Sequence, residues 1–276
     1  MRSLDNRVAI VTGGALGIGG ASARKLAADG ARVLVADVNL PAAQENVERI
    51  RAAGGVADTI EVDVAQPGQI CGMIDAAVDL WGRLDILVNN AWSRQEADGS
   101  ALTLSEAAWD HALGGVLKSV FLGAKYAAPH MAAQGGGAIV SISSAHGLMV
   151  AQGKLAYEIN KAGVIALTRQ MATDLGPLGI RVNAICPGHI ITERGAQRWE
   201  KNPSLLPLFE QQYPMRRVGK PDDVAAAVHF LCTDAASFIT GVALPVDGGL
   251  TIQLQEDMSL HIARFYRDNP EIDLNW

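Results

Sequence analysis

The segment Val8–Gly19, VAIVTGGALGIG, sets the fold. Its four aliphatic residues, Val8 to Val11, read as a short buried strand. The chain then passes through glycines at 13, 14, 17 and 19 into an alanine-rich helical stretch ending near Asp29-Gly30, and Gly30 suits the position just past a helix end. Strand, glycine turn and helix form the context that a phosphate site requires. Glycines let a ligand approach the backbone, and a helix N-terminus offers unpaired N–H groups and the positive end of a dipole. Gly13, Leu16, Gly17, Ile18 and Gly19 are the candidate cradle. A glycine-rich connection without a ligand has the same composition, and the flanking elements weigh against it.

A second aliphatic run, Arg32–Ala36, ends at Asp37, 18 residues beyond Gly19. An acidic residue about 20 residues on is placed to bond the ribose hydroxyls of NAD. It also repels a 2′-phosphate, and neither Leu16 nor Val38 offers a cation that would favour NADP. NAD is the expected cofactor, while the plain reading of Asp37 taken alone is a solvated strand end. Strands Val56–Val62 and Ile86–Val88 follow, separated by helices over 41–53 and 67–81, and end at Asp63-Val64 and Asn89-Asn90-Ala91. This β-α-β-α-β-α-β order implies a parallel sheet with right-handed crossovers. Ligands bind beyond the carboxyl ends of such strands, where the glycine loop, Asp37, Asp63 and Asn90 all fall.

Thr103–Glu106 reads as a capping box that opens a long helix to about Met131. A fifth strand, Ala138–Ser143, leads to Ser144. The helix expected over 155–175 carries Tyr157 and Lys161 in its first turns, spaced i, i+4 and so on one face with Cβ atoms roughly 5–6 Å apart. A cation beside a phenol favours the phenolate, and a phenol so tuned exchanges protons with an alcohol or a carbonyl. Ser, Tyr and Lys also meet at such spacings by chance in a polar loop and surface helix. A sixth strand covers Ile180–Ile185. Residues 189–217 read as an irregular substrate lid, with Arg194, Arg198 and Trp199 among candidate pocket residues that also include Arg94, His146, Gln152 and His189. A helix over 221–232 and a seventh strand, Val242–Val246, complete a domain over residues 1–252, and residues 253–276 form an extension with a helical segment over 258–267.

At 276 residues, the chain suits one large α/β domain. It is 49% hydrophobic but only 5% aromatic, which suits the aliphatic strands of a buried parallel sheet. The net charge of −6 argues against nucleic acid as a partner. No apolar run approaches the roughly 20 residues of a membrane span, and the N-terminal apolar run is too short for a signal peptide. Cys71, Cys186 and Cys232 are widely spaced and form no metal motif, so reduced core thiols in a cytoplasmic protein are expected.

In ordered spacing, TGGALGIG, Asp37, Asp63-Val64, Asn89-Asn90-Ala91, Ser144, Tyr157–Lys161, Arg181-Val182-Asn183, Pro187-Gly188 and Asp247-Gly248-Gly249 make the chain resemble the short-chain dehydrogenases/reductases over about residues 5–252. The resemblance implies a Rossmann-type, doubly wound, seven-stranded parallel sheet in one domain. It implies a pyridine dinucleotide, Tyr157 as acid/base, Ser144 holding the substrate oxygen, and Lys161 binding the nicotinamide ribose while lowering the tyrosine pKa. It places Ile190 and Thr192 on the carboxamide, Asp63 and Val64 beside the adenine, and Asn90 by the adjoining ribose. It also implies a homotetramer. The extension over residues 253–276 exceeds the usual family ending and is expected to cover a neighbouring subunit's pocket.

Two positions depart from the family pattern. Alignment on Trp109-Asp110 and Phe121-Leu122-Gly123 puts Val116 where the family carries an asparagine that supports a helix kink and a water feeding protons to the lysine. Val116 has no polar side-chain atom. A water on its backbone carbonyl, a substitute group nearby, or slowed oxidation are the open outcomes. Trp92 stands where the family has glycine, either as a substrate wall or packed on the loop 93–100. The expected activity is NAD-dependent interconversion of a small secondary alcohol and a ketone. A 3-oxoacyl or cyclic-ketone reductase and a cofactor-binding scaffold with little turnover are the alternatives.

Overall fold

Successive residues of the first strand, β1 (Val8–Thr12), point into different cores. Val8 and Ile10 join a cluster with Leu34 and Leu87, while Ala9 and Val11 join another with Val33 and Val35. This two-residue alternation with both faces apolar is what a sheet covered on both sides requires. The computed structural model describes residues 3–92 and 98–274. Strands β2 (Arg32–Asp37), β3 (Val56–Glu61), β4 (Ile86–Asn89), β5 (Gly137–Ile142), β6 (Ile180–Pro187) and β7 (Ala243–Val246) complete one sheet with β1. All pairings are parallel, in the order β3-β2-β1-β4-β5-β6-β7. The expected seven-stranded, doubly wound Rossmann-like domain is therefore observed. The chain winds outward from β1 to β3 and then returns to β4. Its switch point lies between β1 and β4, where such sheets open a crevice.

Helices α1 (Gly17–Ala28), α2 (Leu40–Ala52) and α9 (Pro221–Cys232) cover one face through Leu26, Val47, Ile50, Val228 and Leu231. Helices α3 (Pro67–Trp81), α5 (Ser119–Ala133) and α6 (Leu155–Leu175) cover the other through Ile70, Ile74, Val120, Met131 and Val164. Burying each such side chain contributes about 1.5–3 kcal/mol. Proline opens α3 and α9, where its missing N–H costs nothing.

Three local expectations are corrected. Helix α4 (Glu106–Leu113) is capped by Ser105, whose hydroxyl accepts from the Ala108 amide, and Thr103 instead closes a turn by accepting from the Ser100 amide. The long helix toward Met131 is interrupted by a π-helical segment, Gly114–Lys118. The pair Gly114-Gly115 lowers helix propensity there, and Ser119 Oγ donates to the carbonyls of Gly115 and Val116. The segment after β6 is not irregular. It forms α7 (Glu193–Lys201) and α8 (Leu205–Glu210), which bury Trp199, Leu205 and Leu208 against Ile272, with Ile262 and Phe265 of α10 (Gln255–Asp268) packed alongside. The extension thus covers this chain's own α7 and α8. The charges of α7 and the prolines at 203 and 207 hid this satellite core from a periodicity reading.

Candidate active site

The glycine loop is shaped by two residues with positive φ, Gly13 at 61° and Gly17 at 57°. Gly19 is required for a different reason: a Cβ there would lie 2.1 Å from the Gly13 carbonyl oxygen. Polar side chains then fix the loop. Thr12 Oγ accepts from the amides of Asn90 and Ala91, and Asn90 Nδ2 donates to the carbonyls of Thr12 and Gly13 at 3.0 Å each. Asn46 Nδ2 donates to the Gly14 carbonyl. The Asp37 carboxylate accepts from the Ala15 amide at 3.1 Å and the Asn39 amide at 2.9 Å. Sequence reading missed the staple roles of Thr12 and Asn46, since a lone threonine or helical asparagine carries no signal of its own.

These residues enclose a cavity of about 420 Å³ lined by Gly13, Leu16, Gly17, Ile18, Asp37 and Val38 on one side. Asp63, Val64, Asn90, Trp92, Thr192 and Glu193 line the other. Among the described lining residues there is no lysine or arginine. The residues suit a dinucleotide: an apolar slot beside Val64, a carboxylate at Asp37, and the start of α1 at Gly17, whose amide the Glu193 carboxylate engages. Gly19 lies behind the loop as a packing residue. The side chain of Asn90 is committed to the loop. The side chain of Asp63 accepts from the Ala65 amide. Ile190 does not line this cavity. It forms a parallel bridge with Gly219 and faces a separate space of about 500 Å³ with Tyr213 and Met215. The bridge uses the His189 carbonyl and the Ile191 amide, which leaves the backbone polar groups of Ile190 on the opposite side.

Beyond the carboxyl end of β5, that strand and α6 bring Ser144, Tyr157 and Lys161 together. Ser143 Oγ donates to the Lys161 carbonyl at 2.7 Å, tying the end of β5 to the helix. Lys161 is 4% exposed, donates to the Ile142 carbonyl at 2.8 Å, and lies 5.8 Å from the centroid of the Tyr157 ring. Burial lowers its pKa to about 8, against a raising contribution from Cys186. Burial also raises the Tyr157 pKa, and a hydrogen bond with Ser144 pulls the other way. The expected lowering of the tyrosine by Lys161 is not found. The ammonium is directed at a carbonyl, and desolvation of the phenolate dominates.

Three further residues frame the phenol. The Trp92 ring is edge-on to Tyr157 at 5.9 Å between centroids and is 50% exposed. His146 is edge-on at 5.7 Å. Its Nδ1 lies 3.0 Å from the buried Glu158 carboxylate, a neighbour of Tyr157 that composition gives no reason to bury. Of the earlier pocket candidates, His189 and Trp199 form a separate aromatic cluster with Phe209, with centroids 5.1–5.7 Å apart. Arg94 lies outside the described residues, as do the side chains of Arg194 and Arg198. The Val116 carbonyl already accepts from the Ser119 hydroxyl at 2.8 Å and from the Ser119 amide, so its acceptor positions are engaged. The notion that it holds a water is not supported.

A sequence model described as enoyl-(acyl carrier protein) reductase matches residues 13–251. The chain belongs to the short-chain dehydrogenase/reductase family. Among its relatives, 4-formylbenzenesulfonate dehydrogenase of Comamonas testosteroni is 40% identical over 252 residues, covering 91% of this chain and all of that protein (100%). Cyclohexanol dehydrogenase of an Acinetobacter species is 38% identical, covering 90% and 96%. Cis-4-hydroxycyclohexanecarboxylate dehydrogenase of Sinomonas cyclohexanicum is 39% identical, covering 89% and 96%. The crystal structure of gox2181 superposes with a TM-score of 0.84 at 37% identity, covering 91% of this chain and 97% of that one. The matched dehydrogenases support an oxidoreductase of this family acting on alcohols. Among the described residues, no helix is long and apolar enough to cross a membrane.

Proposed function

We propose that this short-chain dehydrogenase/reductase interconverts a small secondary alcohol and its ketone with NAD(H). The observation that carries the reading is the position of Trp92. It lines the cavity beside the glycine loop and also meets Tyr157, so the phosphate-cradling end and the proton-transferring end belong to one cleft. In this reading Tyr157 takes the proton from the carbinol oxygen or returns it to the carbonyl, and Ser144 donates a hydrogen bond that holds that oxygen. Lys161 binds the nicotinamide ribose. Gly13, Leu16, Gly17 and Ile18 cradle the pyrophosphate, and Gly19 lets the loop pack closely behind them. Asp37 takes the adenosine ribose, Asp63 and Val64 border the adenine, Asn90 keeps the loop shaped beside a ribose, and Thr192 with the backbone of Ile190 holds the carboxamide. Bound NAD supplies the hydride acceptor, and its reduced form the donor.

With no lysine or arginine among its described lining residues and with Asp37 at its rim, the cavity favours NAD over NADP. Two of the relatives carry names that denote alcohols on six-membered rings, and the exposed face of Trp92 is a suitable wall for such a substrate. The reverse reaction, as a cyclic-ketone or 3-oxoacyl reductase, uses the same groups. Residues 189–217 act as the lid, Ile262, Phe265 and Ile272 of the extension brace it, and Phe121 and Ile159, exposed on α5 and α6, suit the packing of a cytoplasmic homotetramer. A panel of cyclic and acyclic secondary alcohols with NAD and with NADP, followed at the absorbance of the reduced nicotinamide, tests the reading. Oxidation with NAD supports it. Preference for NADP overturns the argument from Asp37, and NAD binding without turnover of any alcohol or ketone favours the scaffold alternative.

A further inference from the structure

The N-terminus of α1 is already engaged by an anionic side chain. Glu193, the first residue of α7, accepts from the Gly17 amide through Oε2 at 2.8 Å. Gly17 is the first residue of α1, and its N–H is among the donors that the helix itself leaves unpaired. The neighbouring Thr192 methyl packs against the same glycine, 3.1 Å from where a Cβ would stand. Glu193 lines the cavity, yet its residue is exposed, so its carboxylate can swing into solvent without leaving a buried charge. A carboxylate on a helix N-terminus makes the interactions that a phosphate oxygen makes there.

We propose that Glu193 is a resident competitor of the cofactor's pyrophosphate and thereby sets dinucleotide affinity. This inference rests on the dinucleotide reading above. The carboxylate and the pyrophosphate are both anionic and converge on the start of α1, so binding of one requires the other to withdraw. Withdrawal releases the start of α7 from the glycine loop, and the apparent affinity is reduced by the fraction of molecules in which Glu193 occupies the site. Since α7 follows directly on Thr192, release of the pyrophosphate and return of Glu193 are coupled in the same segment.

Calorimetry on the full chain tests this with Glu193→Gln and Glu193→Ala against NAD and ADP-ribose, both of which carry the pyrophosphate. Adenosine, which carries none, is followed by ligand-observed NMR. The expected result is about tenfold tighter binding of NAD and ADP-ribose by both variants, with adenosine unchanged. A residue that only caps α1 would alter thermal stability and leave this difference between ligands unmoved. If the parent binds ADP-ribose and the variants bind it equally or more weakly, or if adenosine gains as much, the role of Glu193 is overturned while the dinucleotide site stands. If neither parent nor variants bind NAD or ADP-ribose at millimolar concentration, the dinucleotide reading fails and this inference fails with it.

Discussion

Asp98 holds the backbone of Tyr157 from outside its helix: Oδ2 accepts from the Tyr157 amide at 3.1 Å, and Oδ1 accepts from the Ala156 amide at 3.0 Å. The residue that precedes α6, Lys154, supplies no side-chain cap. A carboxylate 59 residues away satisfies the first turn instead and places negative charge at the positive end of the helix dipole. Asp98→Ala should therefore cost about 1–2 kcal/mol of stability. It should lower kcat about tenfold by loosening the phenol, with NAD affinity unchanged. Thermal unfolding and steady-state kinetics check the pair of effects.

The buried ammonium of Lys161 makes stability depend on pH. Its folded pKa of about 8 lies below the ordinary lysine value of 10.5. Between these values the unfolded chain binds a proton that the folded chain does not, so stability rises with pH across that window. From pH 7 to 9.5 the gain is about 2 kcal/mol. Tyr157 is shifted the opposite way from Lys161, so its contribution is lost only as pH rises above the usual tyrosine range. Lys161→Met should abolish most of the rise between pH 7 and 9.5. Thermal unfolding of the cofactor-free parent and variant across that range measures it.

Asp37→Asn keeps the acceptor for the Ala15 amide and removes the charge that opposes a 2′-phosphate. The ratio of kcat/KM for NADP to that for NAD should rise at least about tenfold. An unchanged ratio would mean that other groups set the preference.

Val116 sits in the larger core cluster with Val120 and Val164, inside the π-helical segment. Val116→Asn would put an amide among aliphatic neighbours, with the adjacent carbonyl already bonded to Ser119. A loss of about 1–3 kcal/mol is expected, with no gain in kcat. Denaturant unfolding and turnover measurements check both.

The strand runs, the glycine loop and helices α3, α6 and α9 were legible because each rests on a local cue: an aliphatic run, a proline at a helix start or a glycine stop. Helices α3, α6 and α9 even begin and end at the expected residues, Pro67–Trp81, Leu155–Leu175 and Pro221–Cys232. What stayed hidden depends on distant partners. Asp98 reaches α6 from another loop, Glu193 reaches α1 from beyond β6, and Ile272 returns to cover Trp199 and Leu208. The direction of the Lys161 side chain depends on a distant partner as well. Spacing puts a cation on the helix face of Tyr157, but only the fold shows that the ammonium is directed at the Ile142 carbonyl.

The central claim, that the Tyr157 hydroxyl moves the proton in alcohol oxidation, is tested most directly by Tyr157→Phe. The measurement is kcat for a secondary alcohol with NAD, alongside NAD affinity by calorimetry. The account predicts a loss of at least about 100-fold in kcat with NAD affinity retained. Turnover within about twofold of the parent, where a proton-transfer role requires the larger loss, would contradict it.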